Sequence, residues 1–220
     1  MSLKKELVEI CHKVYSKGFV AAYDGNLSLR TPDNTVLITR SGVCKGDVNE
    51  KDIVEIDYDG NLISGSAKIS TENKIHLFLY QNRNDVNAVI HCHPVYTTAI
   101  ATSRNILDQP VFPEVVLTIG RIPLCEYATP STDGLIESMK PFVDFASVFL
   151  LQNHGVVAAG KNITQAYFFM EKLEHTAKIL INAELLGGTN KIPAEKLLEL
   201  YSIAEKTYGL QIRDANKFIE

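Results

Sequence analysis

The stretch from Ala88 to Pro94 constrains the fold of this chain more than any other segment. Apolar β-forming residues lead into two histidines, His91 and His93, and a proline closes the run. Residues i and i+2 of a strand point to the same face of a sheet, so the two imidazoles are expected side by side. Imidazole is the commonest metal-binding side chain. The pattern therefore predicts a strand that carries either half of a metal site or a pair of hydrogen-bonded histidines.

The bulk composition narrows the class of protein. The chain has 220 residues, 45% of them hydrophobic and 22% charged, which is typical of a globular protein that buries a core, and we expect a single domain over 1–220. The net charge of −4 argues against broad nucleic-acid binding, which requires a basic surface. No segment approaches the roughly 20 apolar residues of a membrane span, and residues 1–6 lack the apolar core of a signal peptide. The sequence thus predicts a cytoplasmic protein that binds neither nucleic acid nor membrane.

The four cysteines, Cys11, Cys44, Cys92 and Cys125, are widely spread and form no Cys-x-x-Cys pair. This spacing favours reduced, buried thiols over a disulfide framework or a thiolate zinc site. Cys92 is expected to face away from its two histidine neighbours.

Hydrophobic periodicity predicts the elements of the fold. Helices are expected at 3–14, from 73 onward, and at 95–102, 135–139, 163–186 and 193–206. Strands are expected at 27–30, 36–39, 53–56, 62–63, 88–93, 115–119, 124–125, 148–151 and 156–159. Since strands outnumber the helices between them and hairpins are frequent, the pattern predicts a mixed or antiparallel sheet covered by helices.

A third histidine, His154, lies in a turn between two strongly apolar runs. His154 either forms a local hydrogen bond in that turn or supplies a third nitrogen ligand beside His91 and His93. A catalytic zinc site takes three or four protein ligands from His, Glu and Asp, and leaves a position for water or substrate. His12 and His175 lie on predicted helices without a partner, and we assign them to structure.

A carboxylate is needed to complete such a site. Glu72 follows two hydroxyl residues at a predicted helix start, where a carboxylate also interacts favourably with the helix dipole. His76 lies one turn further along the same helix and is a rival fourth ligand, which the spacing leaves open.

Small hydrogen-bonding residues on exposed backbone suggest a phosphate site. Ser70 and Thr71 lie at a helix N-terminus, Ser41 and Gly42 follow a strand, and Asn26 lies in a glycine-containing turn. Turns also use these residue types for conformational reasons alone.

Taken together, these motifs resemble the class II aldolase/adducin-head family, and come closest to its L-fuculose-1-phosphate aldolase branch. The motifs that carry the resemblance occur in the family's order: Gly25-Asn26-Leu27-Ser28, Ser41-Gly42, Ser70-Thr71-Glu72, His91-Cys92-His93-Pro94 and Asn153-His154-Gly155. The resemblance implies an α/β fold with three layers (α/β/α) around a mainly antiparallel sheet. It also implies a homotetramer with active sites at the subunit interfaces.

The resemblance implies a role for each motif. The implied Zn²⁺ ligands are Glu72, His91, His93 and His154, which decides for Glu72 over His76. The implied ligands of the substrate phosphate are Asn26, Ser41, Gly42, Ser70 and Thr71. The implied reaction is reversible cleavage of a ketose 1-phosphate into dihydroxyacetone phosphate and an aldehyde, with Glu72 as the base in the condensing direction. A sugar-phosphate 4-epimerase, a dehydratase and a non-catalytic metal-stabilised assembly protein are the alternatives.

The chain departs from that branch in one place. Its members use a tyrosine downstream of the His-x-His motif to protonate the aldehyde oxygen, whereas residues 111–114 here read Val-Phe-Pro-Glu. Glu114 is either the replacement acid/base or an exposed strand-end carboxylate. Tyr208 matches a C-terminal tyrosine of the branch that reaches the active site.

Overall fold

The computed structural model describes residues 2–66, 68–103, 106–209 and 212–218. The helices of this part are α1 (Leu3–Ser16), α2 (Asn73–Asn82), α3 (Val95–Thr102), α4 (Pro113–Thr118), α5 (Asp133–Met139), α6 (Ile163–Leu185) and α7 (Ala194–Tyr208). The strands are β1 (Asn26–Arg30), β2 (Val36–Thr39), β3 (Ile53–Ile56), β4 (Leu62–Ser64), β5 (Ala88–Cys92), β6 (Leu124–Cys125), β7 (Val148–Leu151) and β8 (Gly155–Gly160).

One eight-stranded sheet runs through the molecule in the order β4-β3-β2-β1-β5-β8-β7-β6. Neighbouring strands are antiparallel except for the parallel pair of β6 and β7. One apolar core joins a face of the sheet to α1, α3 and α6, and a second core joins the opposite face to α2 and α5. The predicted three-layer α/β fold with a mixed, mainly antiparallel sheet is confirmed.

Strand β5 distributes its side chains as the alternation predicts. Ala88, Ile90 and Cys92 belong to the first core, whereas Val89 belongs to the second. Cys92 therefore faces away from His91, and burial raises the pKa of its thiol. The four cysteines are free thiols. None of the helices in the described part combines the length and apolar character needed to cross a bilayer.

The predicted strand at 115–119 is wrong, because this segment forms helix α4. Pro113 occupies the start of the helix, where its fixed φ is favourable and its missing N–H costs nothing. Val115 and Ile119 point into the first core, while Val116 packs with residues of α7. A short apolar run fits a buried strand and a buried helix equally well, and periodicity cannot distinguish them.

A fully buried lysine joins two loops at one end of the sheet. The ammonium group of Lys45 donates to the carbonyl oxygens of Tyr23, at 3.0 Å, and Val43, at 2.9 Å. Burial lowers the pKa of this amine. The first loop leads into Asn26 and the second follows Ser41, so Lys45 fixes the distance between two segments with predicted site residues.

Candidate metal centre

Three histidines from two distant parts of the chain converge beyond the end of β5. Their ring centroids are 4.9 Å apart for His91 and His93, 4.7 Å for His91 and His154, and 5.1 Å for His93 and His154. One nitrogen of each ring lies within 4.8 Å of the others. The antiparallel pairing of β5 with β8, in which His91 lies opposite Val157, brings the third histidine to the first two.

The hairpin between β7 and β8 positions His154. Asn153 adopts a φ of 56°, a left-handed conformation that asparagine tolerates better than most residues. The backbone N–H of His154 then donates to the carbonyl of Leu151 at 3.1 Å. Gly155 follows where the chain passes close to β5, because a Cβ there would lie 2.4 Å from Cδ2 of His93. The Asn-His-Gly sequence thus matches the geometry of this turn.

Glu72 adds a carboxylate to the three imidazoles. It lies at the start of α2, with Oε1 3.1 Å from Nε2 of His154 and Oε2 3.6 Å from Nε2 of His91. Burial alone would raise the pKa of Glu72. The hydrogen bond from His154 and the positive charges that His91 and His154 carry at acidic pH, where Glu72 titrates, outweigh burial and hold that pKa well below its ordinary value. Glu72 is therefore an anion at neutral pH.

The hydrogen bonds of His91 fix the form of its ring. Nδ1 lies 2.9 Å from the carbonyl oxygen of Val156 and must be the protonated nitrogen, since a carbonyl can only accept. The lone pair of Nε2 therefore points into the cluster, 3.1 Å from Nε2 of His93. Burial lowers the pKa of both His91 and His93 to about 4. Both rings are neutral at pH 7, the form that binds metal ions.

The donor set fits a divalent metal ion. Three imidazoles and one carboxylate are the ligands that catalytic zinc sites use. One nitrogen of each ring lies close enough to the others for all three to reach one ion. The structure thus brings together all four predicted metal ligands.

Asp24 is a site residue that sequence reasoning missed. Its Oδ2 lies 3.8 Å from Nδ1 of His93, on the side of the ring opposite to the cluster. A carboxylate behind a metal-binding histidine commonly fixes the orientation of the ring. The available signal was the Tyr-Asp-Gly-Asn turn that precedes β1, which we interpreted only as a turn.

His76 lies one layer behind the cluster. Its Nε2 is 2.5 Å from Oδ1 of Asn26, and its Nδ1 is 2.6 Å from Oγ of Ser28. Both ring nitrogens therefore form contacts outside the cluster of His91, His93 and His154. This arrangement removes His76 as a rival ligand.

The residues predicted to bind phosphate differ in their burial and in their contacts with Glu72. Asn26 is buried and donates from Nδ2 to Oε2 of Glu72 at 2.8 Å. The hydroxyl of Ser70, also buried, accepts from the backbone N–H of Glu72 at 3.4 Å. Thr71 is exposed and accepts a hydrogen bond from Ser131 at 2.8 Å.

The second segment that we predict to bind phosphate lies alongside the first. The backbone N–H of Ser41 donates to the carbonyl of Lys68 at 2.9 Å, and Arg40 forms a β-bridge with Ile69. Gly42 has a φ of 69°, and a Cβ on it would meet no atom within 4 Å. The glycine is required there by backbone conformation, and the space beside it is open.

Glu114 and Tyr208 are the two remaining predicted residues. Glu114 is exposed in the first turn of α4, and within the described residues no hydrogen bond or ion pair links it to the three histidines or Glu72. Its carbonyl oxygen lies 3.4 Å from Nζ of Lys172 on α6. Tyr208 is the last residue of α7, and its side chain lies outside the described part of the structure.

Two kinds of known enzyme are similar in sequence to this chain. The 3-oxo-tetronate 4-phosphate decarboxylase of Escherichia coli (strain K12) is 34% identical over 184 residues, which cover 81% of this chain and 86% of that protein. The L-fuculose phosphate aldolase of Methanocaldococcus jannaschii is 34% identical over 178 residues, covering 81% and 95%.

A solved structure shares the fold. The structure of an L-fuculose 1-phosphate aldolase superposes with a TM-score of 0.81 at 31% identity, covering 94% of this chain and 96% of the other. Residues 5–181 match the family described as Class II Aldolase and Adducin N-terminal domain. The chain is therefore a member of the class II aldolase family, whose aldolases are metal-dependent sugar-phosphate enzymes.

Proposed function

We propose that this protein is a zinc-dependent aldolase that cleaves a ketose 1-phosphate reversibly into dihydroxyacetone phosphate and an aldehyde. The convergence of Glu72 with His91, His93 and His154 carries the proposal, because it supplies a metal site and a base in one place. The proposal includes a cytoplasmic homotetramer with active sites between subunits.

The metal ion and the side chains of the protein have separate roles in the proposed reaction. A divalent ion held by the three histidines supplies a Lewis acid for the carbonyl and hydroxyl oxygens of the substrate. In the condensing direction, Glu72 accepts the proton from C3 of dihydroxyacetone phosphate, and in the cleaving direction it returns that proton. A carboxylate in a buried, water-poor site is a stronger base than one in bulk solvent.

Neutral groups hold the phosphate in this proposal. The serine and threonine hydroxyls at the start of α2 and the backbone around Gly42 are short donors, and the two segments that carry them run side by side. Such donors bind phosphate without a large positive charge. The predicted set remains Asn26, Ser41, Gly42, Ser70 and Thr71.

We place Glu114 in the active site of a neighbouring subunit. It is exposed on α4, and no hydrogen bond or ion pair among the described residues joins it to the cluster of its own chain, so we assign an acid/base role to the site of a second copy. Mixing two inactive variants, His91→Ala and Glu114→Gln, should then restore activity, because some hybrid sites contain neither substitution. Mixtures that stay inactive although subunits exchange would contradict this role.

Decarboxylation of a 3-oxo sugar acid phosphate is a second candidate. A decarboxylase and an aldolase are relatives at the same identity of 34%. Loss of CO₂ from 3-oxo-tetronate 4-phosphate breaks the C1–C2 bond and leaves the same enediolate of dihydroxyacetone phosphate as aldol cleavage. Aldol cleavage needs a base for the C4 hydroxyl proton, whereas a carboxylate is already ionised. The missing tyrosine at 111–114 therefore favours this candidate.

The shared half-reaction provides the test. Zinc-loaded protein in D₂O should exchange a C3 proton of dihydroxyacetone phosphate, followed by NMR, and Glu72→Gln should reduce the rate about 10²- to 10⁴-fold. His175→Gln, an exposed change on α6, is the control. Absence of exchange would contradict both candidates. Product analysis then separates aldehyde from CO₂, and an epimer or a dehydrated ketone would indicate the alternative reactions of the family.

A further inference from the structure

A buried chain of hydrogen bonds leads away from the candidate base. Nδ2 of Asn26 is 2.8 Å from Oε2 of Glu72, and Oδ1 of Asn26 is 2.5 Å from Nε2 of His76. Nδ1 of His76 is 2.6 Å from Oγ of Ser28, which is 2.6 Å from the hydroxyl of Tyr80. Asn26, Ser28, His76 and Tyr80 are each at most 3% exposed, so water does not compete for these bonds.

The spacing of residues along β1 and α2 produces this chain of hydrogen bonds. Asn26 and Ser28 lie two positions apart on β1 and share one face of the sheet. Glu72, His76 and Tyr80 lie four positions apart along α2, on one stripe of the helix. The hydrogen bonds therefore alternate between helix and strand at every step.

The chemistry of the groups gives every bond a single direction. An ionised carboxylate only accepts, so the Asn26 amide presents its NH₂ to Glu72 and its oxygen to His76. Nε2 of His76 must then carry the proton. Burial lowers the pKa of His76 to about 4, so the ring is neutral and Nδ1 accepts from the Ser28 hydroxyl. The oxygen of Ser28 in turn accepts from Tyr80, whose pKa is raised by burial.

We propose that His76, Ser28 and Tyr80 are positioning residues that fix the orientation of the Asn26 amide and, through it, hold Oε2 of Glu72. Without the proton on Nε2 of His76, the amide can rotate and turn its oxygen toward the carboxylate. With it, Oε2 stays anchored while Oε1, which faces His154, is left for the ion and the substrate proton. The catalytic part of this inference rests on the proposed function, whereas the tautomer and the anchoring do not.

The tautomer of His76 is the first test. The ¹⁵N NMR signals of the unmodified, metal-free protein should show a neutral ring protonated on Nε2 at pH 7. Asn26→Leu, which removes the acceptor, should release that preference. A ring protonated on Nδ1, or an imidazolium, would overturn the inference whatever reaction the protein catalyses.

Two substitutions at His76 form the second test. His76→Gln keeps the direction of the hydrogen bonds, because the glutamine NH₂ can donate to Asn26 and the glutamine oxygen can accept from Ser28. His76→Leu has neither group. We expect the leucine variant to lose roughly 10- to 100-fold in zinc affinity, measured by chelator competition, and in kcat, and the glutamine variant to retain most of both. Equal losses in the two variants, with circular dichroism unchanged, would assign His76 to packing alone.

Discussion

Gly155 lies against His93 so closely that no larger residue fits between them. A Cβ on this glycine would be 2.4 Å from Cδ2 of the imidazole and 2.6 Å from the carbonyl oxygen of Cys92. Carbonyl and ring both belong to the segment that carries the candidate ligands. The methyl group of an alanine must therefore displace the ring, the hairpin or both.

Gly155→Ala should weaken metal binding and destabilise the protein together. Overpacking of this kind costs about 1–3 kcal/mol, and a displaced ligand reduces zinc affinity at least about tenfold. Thermal unfolding and chelator competition measure the two effects. Gly134→Ala is the matched control, because a Cβ there meets its nearest neighbour at an ordinary 3.5 Å. A Gly155→Ala protein with unchanged zinc affinity would contradict the assignment of His93.

Replacing one central candidate ligand should abolish binding of the metal ion. In His91→Ala, the site loses a nitrogen that lies 3.1 Å from Nε2 of His93 and 3.6 Å from Oε2 of Glu72. We expect the purified variant to contain no bound zinc, and its Tm not to rise when zinc is added, since an ion stabilises only the state that binds it. His175→Ala should bind zinc as the unmodified chain does. Stoichiometric zinc in His91→Ala would mean that the ion lies elsewhere.

The metal-free protein should lose stability as the pH falls from about 6.5 to about 4. Burial lowers the pKa of His76, His91 and His93 to about 4, so the unfolded chain binds more protons than the folded chain throughout that interval. One fully buried imidazole contributes on the order of 3 kcal/mol at the acid end. Urea unfolding at several pH values measures the slope, which His91→Gln should reduce. A free energy of unfolding that stays constant across the interval would refute the prediction.

Glu174 should stabilise the helix that follows His93. Its carboxylate accepts from the backbone N–H of Tyr96 at 3.0 Å, and from the N–H and the hydroxyl of Thr97 at 2.8 and 2.7 Å. The first turn of a helix has no internal partners for its N–H groups, and a negative charge there is favourable. Glu174→Gln should cost about 1–3 kcal/mol in urea unfolding. The exposed change Glu9→Gln on α1 should cost much less, and equal losses would contradict this role.

Much of the fold could be predicted from local pattern. Alternation identified β5 and the opposite orientation of Cys92, and hydrophobic periodicity identified the long helix α6. In the structure this helix begins after the N-cap Asn162, whose side chain accepts from the backbone N–H of Gln165. The segment at 115–119 could not be predicted correctly, because three consecutive apolar residues satisfy either period. Its helical state depends on Pro113 and on packing against α7.

The candidate metal ligands were easier to predict than the groups behind them. Each of His91, His93 and His154 also had an ordinary structural explanation, and only their combination with the other family motifs was informative. Asp24 and Asn26 belong to residue types that turns commonly use. Only the structure shows that Asp24 lies beside His93 and that Asn26 bonds to Glu72 and His76. The direction of the bonds through His76 required distances that no sequence contains. The proposed role of Glu114 involves a second subunit, and a sequence pattern does not reveal such contacts.

The central place of β5 has a consequence for biosynthesis. Its two neighbours are β1, which precedes it in the chain, and β8, which follows it, and the ring of His91 is held by a carbonyl 65 positions further along. A ribosome therefore releases the first pair of imidazoles long before the hairpin that completes their surroundings. A chain that terminates before β8 therefore lacks the strand pairing that brings His154 to His91 and His93.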